Sequence, residues 1–409
     1  MPASEEVRSE EPKRFRVEFE FPLLLIRTQS FMRLYDRLGA FRTSRVISWA
    51  ALVGMPVVAA FGLFLIFNSL LALLTIPEAR EGARELSPLA HILLPGVNPY
   101  LPIFYGWVGL IAAIVVHEGA HGVIARSLKL RVKSSGLLFF LAIPIGAFVD
   151  VDEEELKRAA AKDSVRVMAA GPGANTAIGL VCLIGLLITV SGLTPVIDGL
   201  YIAEVIEGRP AEEAGLLAGD IITMVDDNRI ITIDDFRAVT EDKGPSDSVL
   251  VTVARGEMWG DRLSVPVNLT EDDEGRPIIG VLLGELLIEQ RLKFYQRLSA
   301  ESFLVYFQPP TLARLPFSES LRSFYAHPIG DNWYVMANIF FWVWFVNVNV
   351  AIFNSLPIVP LDGGRAFESL LKYLIGQRAN QKVASRLTIA VTVALVSAIA
   401  MMIVLPYVI

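Results

Sequence analysis

Five apolar stretches decide what this chain can fold into. Residues 46–74, 103–125, 167–193, 333–356 and 387–409 are each long enough to cross a bilayer as a helix, which takes about 20 residues. Inside lipid a backbone must satisfy its own hydrogen bonds, so these runs have to be helical. Composition agrees: 53% of the residues are hydrophobic and 19% charged, against about 25% charged in an ordinary soluble domain. The first stretch exceeds the usual length and predicts one long, tilted helix. It is also too long for the core of a cleavable signal, and residues 1–45 before it are charged and mixed, so no signal peptide is expected. The single cysteine, Cys182, lies in an apolar run. It allows neither an intrachain disulfide nor a cysteine metal site and reads as a small buried filler.

The second run is broken by chemistry: Ile114-Val115-Val116-His117-Glu118-Gly119-Ala120-His121. Ionisable residues in a membrane-grade segment are costly and usually have a task. Positions i and i+4 share a helix face, so His117 and His121 point the same way and can grip one metal ion. Glu118 stands beside the first of them, placed to take a proton from water at the metal. His-Glu-x-x-His on a helix is the pattern of a zinc hydrolase. The alternative is a pair of satisfied core histidines. Against it, two of only four histidines in the chain fall here, and burying the trio without a partner would cost several kcal/mol.

A catalytic zinc takes three protein ligands, so a third must come from elsewhere. The best candidate lies in Asn354-Ser355-Leu356-Pro357-Ile358-Val359-Pro360-Leu361-Asp362-Gly363-Gly364-Arg365. Asp362 follows a long apolar run, and Gly363 and Gly364 would let the backbone turn so that a short carboxylate reaches inward. The competing reading of Asp362 is a loop or helix-capping residue ahead of Gly-Gly, and on the residues alone both stand.

Lys and Arg beside the spans set the orientation. Arg27, Arg33, Arg37, Arg42 and Arg45 precede the first span. Arg126, Lys129, Arg131, Lys133, Lys157, Arg158, Lys162 and Arg166 follow the second. Arg365, Lys372, Arg378, Lys382 and Arg386 precede the last. With alternating helices all three groups fall on one side, expected to be the cytoplasm. His117, Glu118, His121 and Asp362 then lie at the same, cytoplasmic depth of a multi-pass protein of the cell membrane.

The connections carry further expectations. Residues 1–11 are polar and expected to be disordered. Phe15, Val17, Phe19 and Phe21 alternate with charges, as in a short strand or interfacial segment. Residues 23–45 suggest a helix on the membrane surface or a plain linker. The Pro-rich loop 75–102 holds His91, read as an ordinary loop residue. Residues 136–149, short and punctuated by Gly and Pro, fit a membrane-dipping hairpin. Its strand edge would either pair with an extended substrate or simply close the floor of the domain. The acidic cluster from Asp150 to Glu155 reads as a solvated lead into a helix. Ala169-Ala170-Gly171-Pro172-Gly173-Ala174-Asn175 supplies small residues for close helix approach, a proline kink, and an asparagine that bonds a neighbouring helix or lines the site. Residues 285–331 read as two amphipathic surface helices broken at Pro309-Pro310, with interfacial aromatics and a non-ligating His327.

Between residues 199 and 284 apolar density drops and acids outnumber bases, as in a small soluble domain. Strands are expected at 200–205, 221–225, 249–253, 263–269 and 278–283, with a helix near Asp234. Ala214-Gly215-Leu216-Leu217-Ala218-Gly219-Asp220-Ile221-Ile222 resembles the signature of PDZ domains in membrane-associated proteases. That resemblance implies a peptide-binding loop and strand at residues 199–205.

Taken together, the His117–His121 motif, the Ala-Gly-Pro-Gly-Ala-Asn opening of the third span and the Asn354…Pro357…Asp362-Gly363 segment resemble the site-2 protease family of intramembrane zinc metalloproteases, in its prokaryotic, archaeal or bacterial, form. The expected fold is a polytopic α-helical membrane protein with about five transmembrane helices, a short membrane-associated β-hairpin and an inserted soluble PDZ-like α/β domain. The expected division is 1–45 interfacial, 46–193 membrane, 194–286 PDZ-like, 287–332 amphipathic linker and 333–409 membrane. The resemblance implies Zn2+ held by His117, His121 and Asp362, Glu118 as general base and acid, and Asn354 on the substrate backbone or developing oxyanion. It also implies transmembrane protein substrates cut in regulated intramembrane proteolysis, after an upstream site-1-type protease, and filtered by a PDZ-like domain on the outer side. The lipid bilayer is a partner and nucleic acid is not expected, with a net charge of −7. Two other classes compete: an inactive PDZ membrane scaffold, against which all three ligands and Glu118 are present, and a metal transporter, against which no internal repeat is found.

Overall fold

The computed structural model describes residues 15–141, 143–241, 243–244, 247–256, 259–272, 275–284, 289–310, 315–375 and 381–408. The polar stretch 1–11 and parts of the linker, 285–288 and 311–314, lie outside them. The chain divides into two compact units: Met1–Cys182 with Trp342–Ile409, and Leu183–Phe341.

The first unit contains β1 (Phe15–Glu20), β2 (Leu23–Thr28), α1 (Met32–Ala40), α2 (Arg42–Thr75), α3 (Pro77–Glu85), α4 (Ile103–Ser127), β3 (Val132–Phe140), β4 (Ile143–Val151), α5 (Glu153–Arg158) and the start of α6 (Ala161–Ser191). It resumes with the end of α11 (Asn332–Ser355), then α12 (Asp362–Ile375) and α13 (Gln381–Val404). Among the described residues five helices, α2, α4, α6, α11 and the C-terminal one, are long and apolar enough to cross a membrane. They fall on the five runs of the sequence. The first is indeed a single helix of 34 residues. α11 is mostly enclosed by protein, whereas α2 and α13 are mostly exposed, as outer helices facing hydrocarbon would be. Close packing uses small residues: a Cβ on Gly109 of α4 would stand 2.6 Å from the Trp342 carbonyl oxygen of α11.

The expected hairpin is half of a larger element. β3 and β4 pair as anticipated, but β1 and β2 join them in one antiparallel sheet of order β1-β2-β3-β4. Residues 23–28 are thus a strand, with Ile26 opposite Leu137, and not the start of a surface helix. A four-residue apolar run is ambiguous between helix and strand until its neighbour is known. Arg27 ties the sheet together. It reaches Glu18 at 3.1 Å and Asp150 at 3.4 Å and lies over the Phe148 ring. α1 packs on α4: a Cβ on Gly122 would meet the Tyr35 ring at 3.0 Å, and one on Gly39 would meet Ser127 N at 2.9 Å. Tyr35, Ile124, Ala125, Val132, Val167 and Ala170 form the buried cluster beneath. The acidic cluster does lead into a helix: Asp152 caps α5, accepting from the amides of Glu154 and Glu155.

The second unit holds the end of α6, β5 (Thr194–Pro195), β6 (Leu200–Val205), α7 (Pro210–Glu213), β7 (Ile221–Val225), β8 (Asn228–Arg229), α8 (Ile233–Thr240), β9 (Ser248–Arg255) and β10 (Asp261–Asn268). β11 (Thr270–Glu271), β12 (Pro277–Ile278), β13 (Val281–Gly284), α9 (Glu289–Gln296), α10 (Ala300–Val305), β14 (Tyr325–Ala326) and the start of α11 complete it. The main sheet runs β10-β9-β7-β6-β13, with β8 on β7. Its core includes Leu200, Ile202, Ile222, Val225, Val251 and Val253. Thr232 opens α8 with a capping box closed by Asp235. The expected strands are present, but the expected peptide-binding strand is not at an edge. β6 has β7 on one side and β13 on the other, so among the described residues β10 and β13 are the edges of that sheet.

In the linker α9 and α10 are separated at residues 297–299, where Ser299 caps α10, and α10 ends at Val305, ahead of Pro309-Pro310; the residues that follow the prolines, 311–314, lie outside the described ones. Tyr295, Tyr306, Phe317 and Phe324 are buried in this unit instead of lining a lipid interface. The Tyr306 hydroxyl donates to the Tyr295 carbonyl at 2.6 Å, which makes its burial tolerable. His327 is engaged by the Thr189 carbonyl oxygen at 3.0 Å and His91 is exposed; among the described residues neither belongs to a group that could hold a metal.

The Asp of the Gly-Asp signature has a structural task. Asp220, 2% exposed, accepts from Arg255 Nε and Nη2 at 2.7 and 2.6 Å and from the Leu217 amide at 2.9 Å. Asp220→Ala should cost this domain about 2–3 kcal/mol, less than for a fully buried pair because Arg255 keeps partial hydration. Faster amide hydrogen exchange across β7 and β9 of the full chain would report it.

Candidate metal centre

His117 and His121 are both buried on one face of α4, with ring centroids 4.9 Å apart. The helical repeat alone produces this pairing. Asp362, the first residue of α12, comes from 241 and 245 residues away. Its Oδ2 lies 3.0 Å from His117 Nε2 and 3.1 Å from His121 Nε2. One ligand atom from each residue falls within 4.8 Å of the others, and this is the one such group among the described residues.

Gly363 and Gly364 make the approach possible, though not by turning. Both are helical and buried, and neither has a positive φ. A Cβ on Gly363 would collide with the carbonyls of Ser355 and Leu356, and one on Gly364 with that of Ile358. They let α12 start flush against the loop that leaves α11, which is what carries Asp362 to the imidazoles.

Backbone groups complete the centre. The Val167 carbonyl oxygen of α6 lies 2.7 Å from His121 Nδ1. A hydrogen donated there leaves the Nε2 lone pair facing Asp362, the usual way a ligating imidazole is held. Gly171, one turn further along α6, faces both rings: a Cβ there would stand 2.5 Å from His121 Nε2 and 2.6 Å from His117 Nε2. The Val149 amide of β4 donates to Glu118 Oε2 at 2.9 Å, aiming the carboxylate along the sheet edge. Glu118 is half-buried and the Asp362 side chain 16% exposed, so the centre is not sealed. A cavity of about 720 Å³ lies beside Gly363, lined by Met55 and Pro56 of α2, Ser355, Pro357 and Phe367.

Neither of the two asparagines singled out in the sequence bonds a member of the cluster. Asn354 is half-buried and its Nδ2 donates to the Val350 carbonyl of its own helix at 3.1 Å, which leaves a second amide hydrogen. Asn175 is fully buried, and neither end of its amide has a partner among the described residues, so the expected bond to a neighbouring helix is not made. The His117 Nδ1 is also without a partner. Sequence reasoning missed Gly171, Val167 and Val149 as parts of the centre. Gly171 was legible only as a packing residue, and the other two act through peptide groups that no side chain advertises.

Two imidazole nitrogens and one carboxylate oxygen, joined by no other His, Cys, Asp or Glu ligand atom among the described residues, are the donor set of an open catalytic site for a borderline-soft divalent ion. A family model described as Peptidase family M50 matches residues 105–399. The chain belongs to peptidase family M50. An uncharacterized protein of Methanocaldococcus jannaschii is 27% identical over 354 residues, 85% of this chain and 78% of that protein. A putative zinc metalloprotease of Clostridium perfringens is 27% identical over 67% of this chain and 88% of its own length. One of Synechocystis is 25% identical over 67% and 86%. The M50 chain is also similar to solved PDZ domains. That of an SdrC-like protein from Listeria monocytogenes is 31% identical and covers 21% of this chain and 88% of that one, with a TM-score of 0.20. The counterpart from Listeria innocua is 33% identical, covering 21% and 93%, with a TM-score of 0.19.

Gly171 gives this M50 centre a test that leaves every donor in place. Gly171→Ala puts a methyl group where an ion between the Nε2 atoms would sit. The purified variant should elute as a folded protein yet carry less than a tenth or so of the wild-type metal by elemental analysis, since misplaced ligands forfeit affinity steeply.

Proposed function

We propose that this M50 peptidase is a zinc endopeptidase of the multi-pass membrane class that cuts transmembrane segments of other membrane proteins, the step on which regulated intramembrane proteolysis depends. The observation that carries the reading is the convergence of His117 and His121, on a helix apolar enough to span a bilayer, with Asp362 of α12, one ligand atom of each lying within 4.8 Å of the others. A soluble substrate would not require that setting.

In this reading His117, His121 and Asp362 hold zinc. The cradle opposite Gly171 and the two-nitrogen, one-oxygen donor set fit it. Zinc, when bound, supplies a Lewis acid that polarises the scissile carbonyl and lowers the pKa of water. The chain supplies the rest. Glu118 accepts the proton of the attacking water at a carboxylate oxygen and returns it to the leaving amine. The Val149 amide keeps that carboxylate in place, and Val167 keeps the His121 ring from rotating. Asn354, through its free amide hydrogen, holds the substrate backbone or the developing oxyanion.

A transmembrane substrate hides its peptide bonds in its own helix, so it must be extended before it is cut. β4 is an edge of its sheet, and the Val149 N–H points away from β3 toward Glu118. A substrate strand added along β4 would therefore lie beside the catalytic carboxylate. The cavity between α2 and α12 offers apolar room for the flanking residues. The basic flanks of α2, α6 and α13 support a cytoplasmic catalytic side in the cell membrane, with the PDZ-like domain outside, where it would screen substrates trimmed by a site-1-type protease. The domain division that follows is the one set out from the sequence: 1–45, 46–193, 194–286, 287–332 and 333–409.

Glu118→Gln separates this function from a scaffold that uses only the PDZ-like domain. Cleavage of a reconstituted transmembrane substrate should fall by about 10²–10⁴-fold, while zinc content stays at the wild-type level. Unchanged processing would assign the cut to another protein. Asp362→Ala should instead lose the metal and the activity together.

A further inference from the structure

A second polar site lies at the end of the bundle where α2 and α6 begin and α4 ends. A cavity of about 350 Å³ is lined there by Arg45, Trp49, Ser127, Lys129, Lys162 and Arg166, with Leu128 and Asp163. This volume equals roughly ten waters. Four cations face one carboxylate, so the lining carries a surplus of positive charge. The arrangement is built, not incidental. Arg166 is buried, its side chain 7% exposed. It is fixed by Ser48 Oγ, which accepts from Nε and Nη2 at 3.1 and 2.7 Å, and by Asp163 Oδ1, which accepts from Nη1 at 2.9 Å. Its guanidinium lies 4.9 Å over the Trp49 ring. Arg45, Lys129 and Lys162 are exposed and have no ion pair among the described residues.

Lys129 adds an independent observation. It ends α4 with φ +64°, the left-handed position that glycine fills without strain. A lysine there carries backbone strain and places an ammonium with no ion pair among the described residues on the cavity. Two helix amino ends, of α2 and α6, favour an anion, against one carboxyl end, of α4.

We propose that this cavity binds the phosphate of an acidic lipid headgroup. The choice of a lipid over a soluble anion rests on what adjoins the cavity. Val46, Trp49, Val53 and Val57 all stand exposed at helical spacing on α2, one of the spans. A cationic pocket that opens onto an apolar helix face matches an amphiphile: phosphate on the cations, acyl chains along α2, and Trp49 at the boundary between them.

The test uses the purified full chain in detergent micelles, titrated with phosphatidylglycerol or phosphatidylcholine and read by native mass spectrometry. Wild-type protein should retain phosphatidylglycerol in preference to phosphatidylcholine. The variant Arg45→Gln/Lys129→Gln/Lys162→Gln should bind phosphatidylglycerol on the order of a hundredfold more weakly, as three juxtamembrane cations predict. Arg16→Gln/Arg33→Gln/Arg37→Gln, which removes equal charge from β1 and α1, outside the cavity lining, should keep wild-type affinity. Lys162→Gln alone, an exposed change that leaves the fold intact, should cost about fivefold. Equal affinity for the two lipids, an unaltered cavity variant, or the same loss in both triple variants would overturn the proposal. Displacement of phosphatidylglycerol by inorganic phosphate would overturn the lipid assignment and leave a soluble anion in its place.

Discussion

Two imidazoles and a carboxylate buried side by side are unstable unless a positive charge joins them. Both Nε2 atoms face Asp362 at 3.0 and 3.1 Å, in a bundle where charge is expensive. A cation among the three satisfies all of them at once, and the rest of the membrane unit is arranged to leave room for one. α6 comes close only because Gly171 has no side chain. α12 starts flush with its preceding loop only because Gly363 and Gly364 have none. Each glycine yields local stability and permits an approach that a methyl group would prevent.

The parts that local periodicity encodes were legible in the sequence. His117 and His121 sit one helical turn apart, and an i,i+4 relation survives any tertiary context. The five spans were legible because lipid leaves the backbone so few choices. Asp362 was readable as a ligand or a cap, and only the structure brings it to the histidines. Pairing was not legible. Leu23 to Ile26 look like the beginning of a helix until Leu137 and Phe139 stand beside them, more than a hundred residues away. Likewise β6 reads as a peptide-binding strand until β13 occupies its far side. The glycines misled in a third way. Gly363-Gly364 has the composition of a turn, but the two residues act by lacking a Cβ inside a helix.

Peptide groups account for the last part of the centre. Val149 and Val167 would be interchangeable with other apolar residues in any pattern. What they provide is an N–H for Glu118 and a C=O for His121, both fixed by the elements around them. The consequence is that the sheet sets the position of the Glu118 carboxylate and is not merely a floor. A shift of β4 by one residue would turn the Val149 N–H toward β3 and release Glu118. Arg27, which joins β2 to both Glu18 and Asp150, therefore steadies the strand that holds the Glu118 carboxylate.

α6 carries this reasoning across the membrane unit. Val167, Gly171 and Asn175 lie on one face at i,i+4 spacing: the first holds His121, the second makes room opposite both rings, and the third is a buried amide with no partner among the described residues. Arg166, the residue before Val167, forms the inner wall of the cationic cavity. An anion seated on Arg166 and an imidazole held by Val167 thus act on adjacent residues of one helical turn. That turn is shared because α6 is a single 31-residue helix, whose 1.5 Å rise per residue admits little slack. A headgroup in the cavity would fix the start of α6 against α2 and α4, and with it the carbonyl that sets the His121 ring. The lipid around the peptidase then becomes a determinant of how well its metal ligands are aligned, through one helix and without a contact to the substrate.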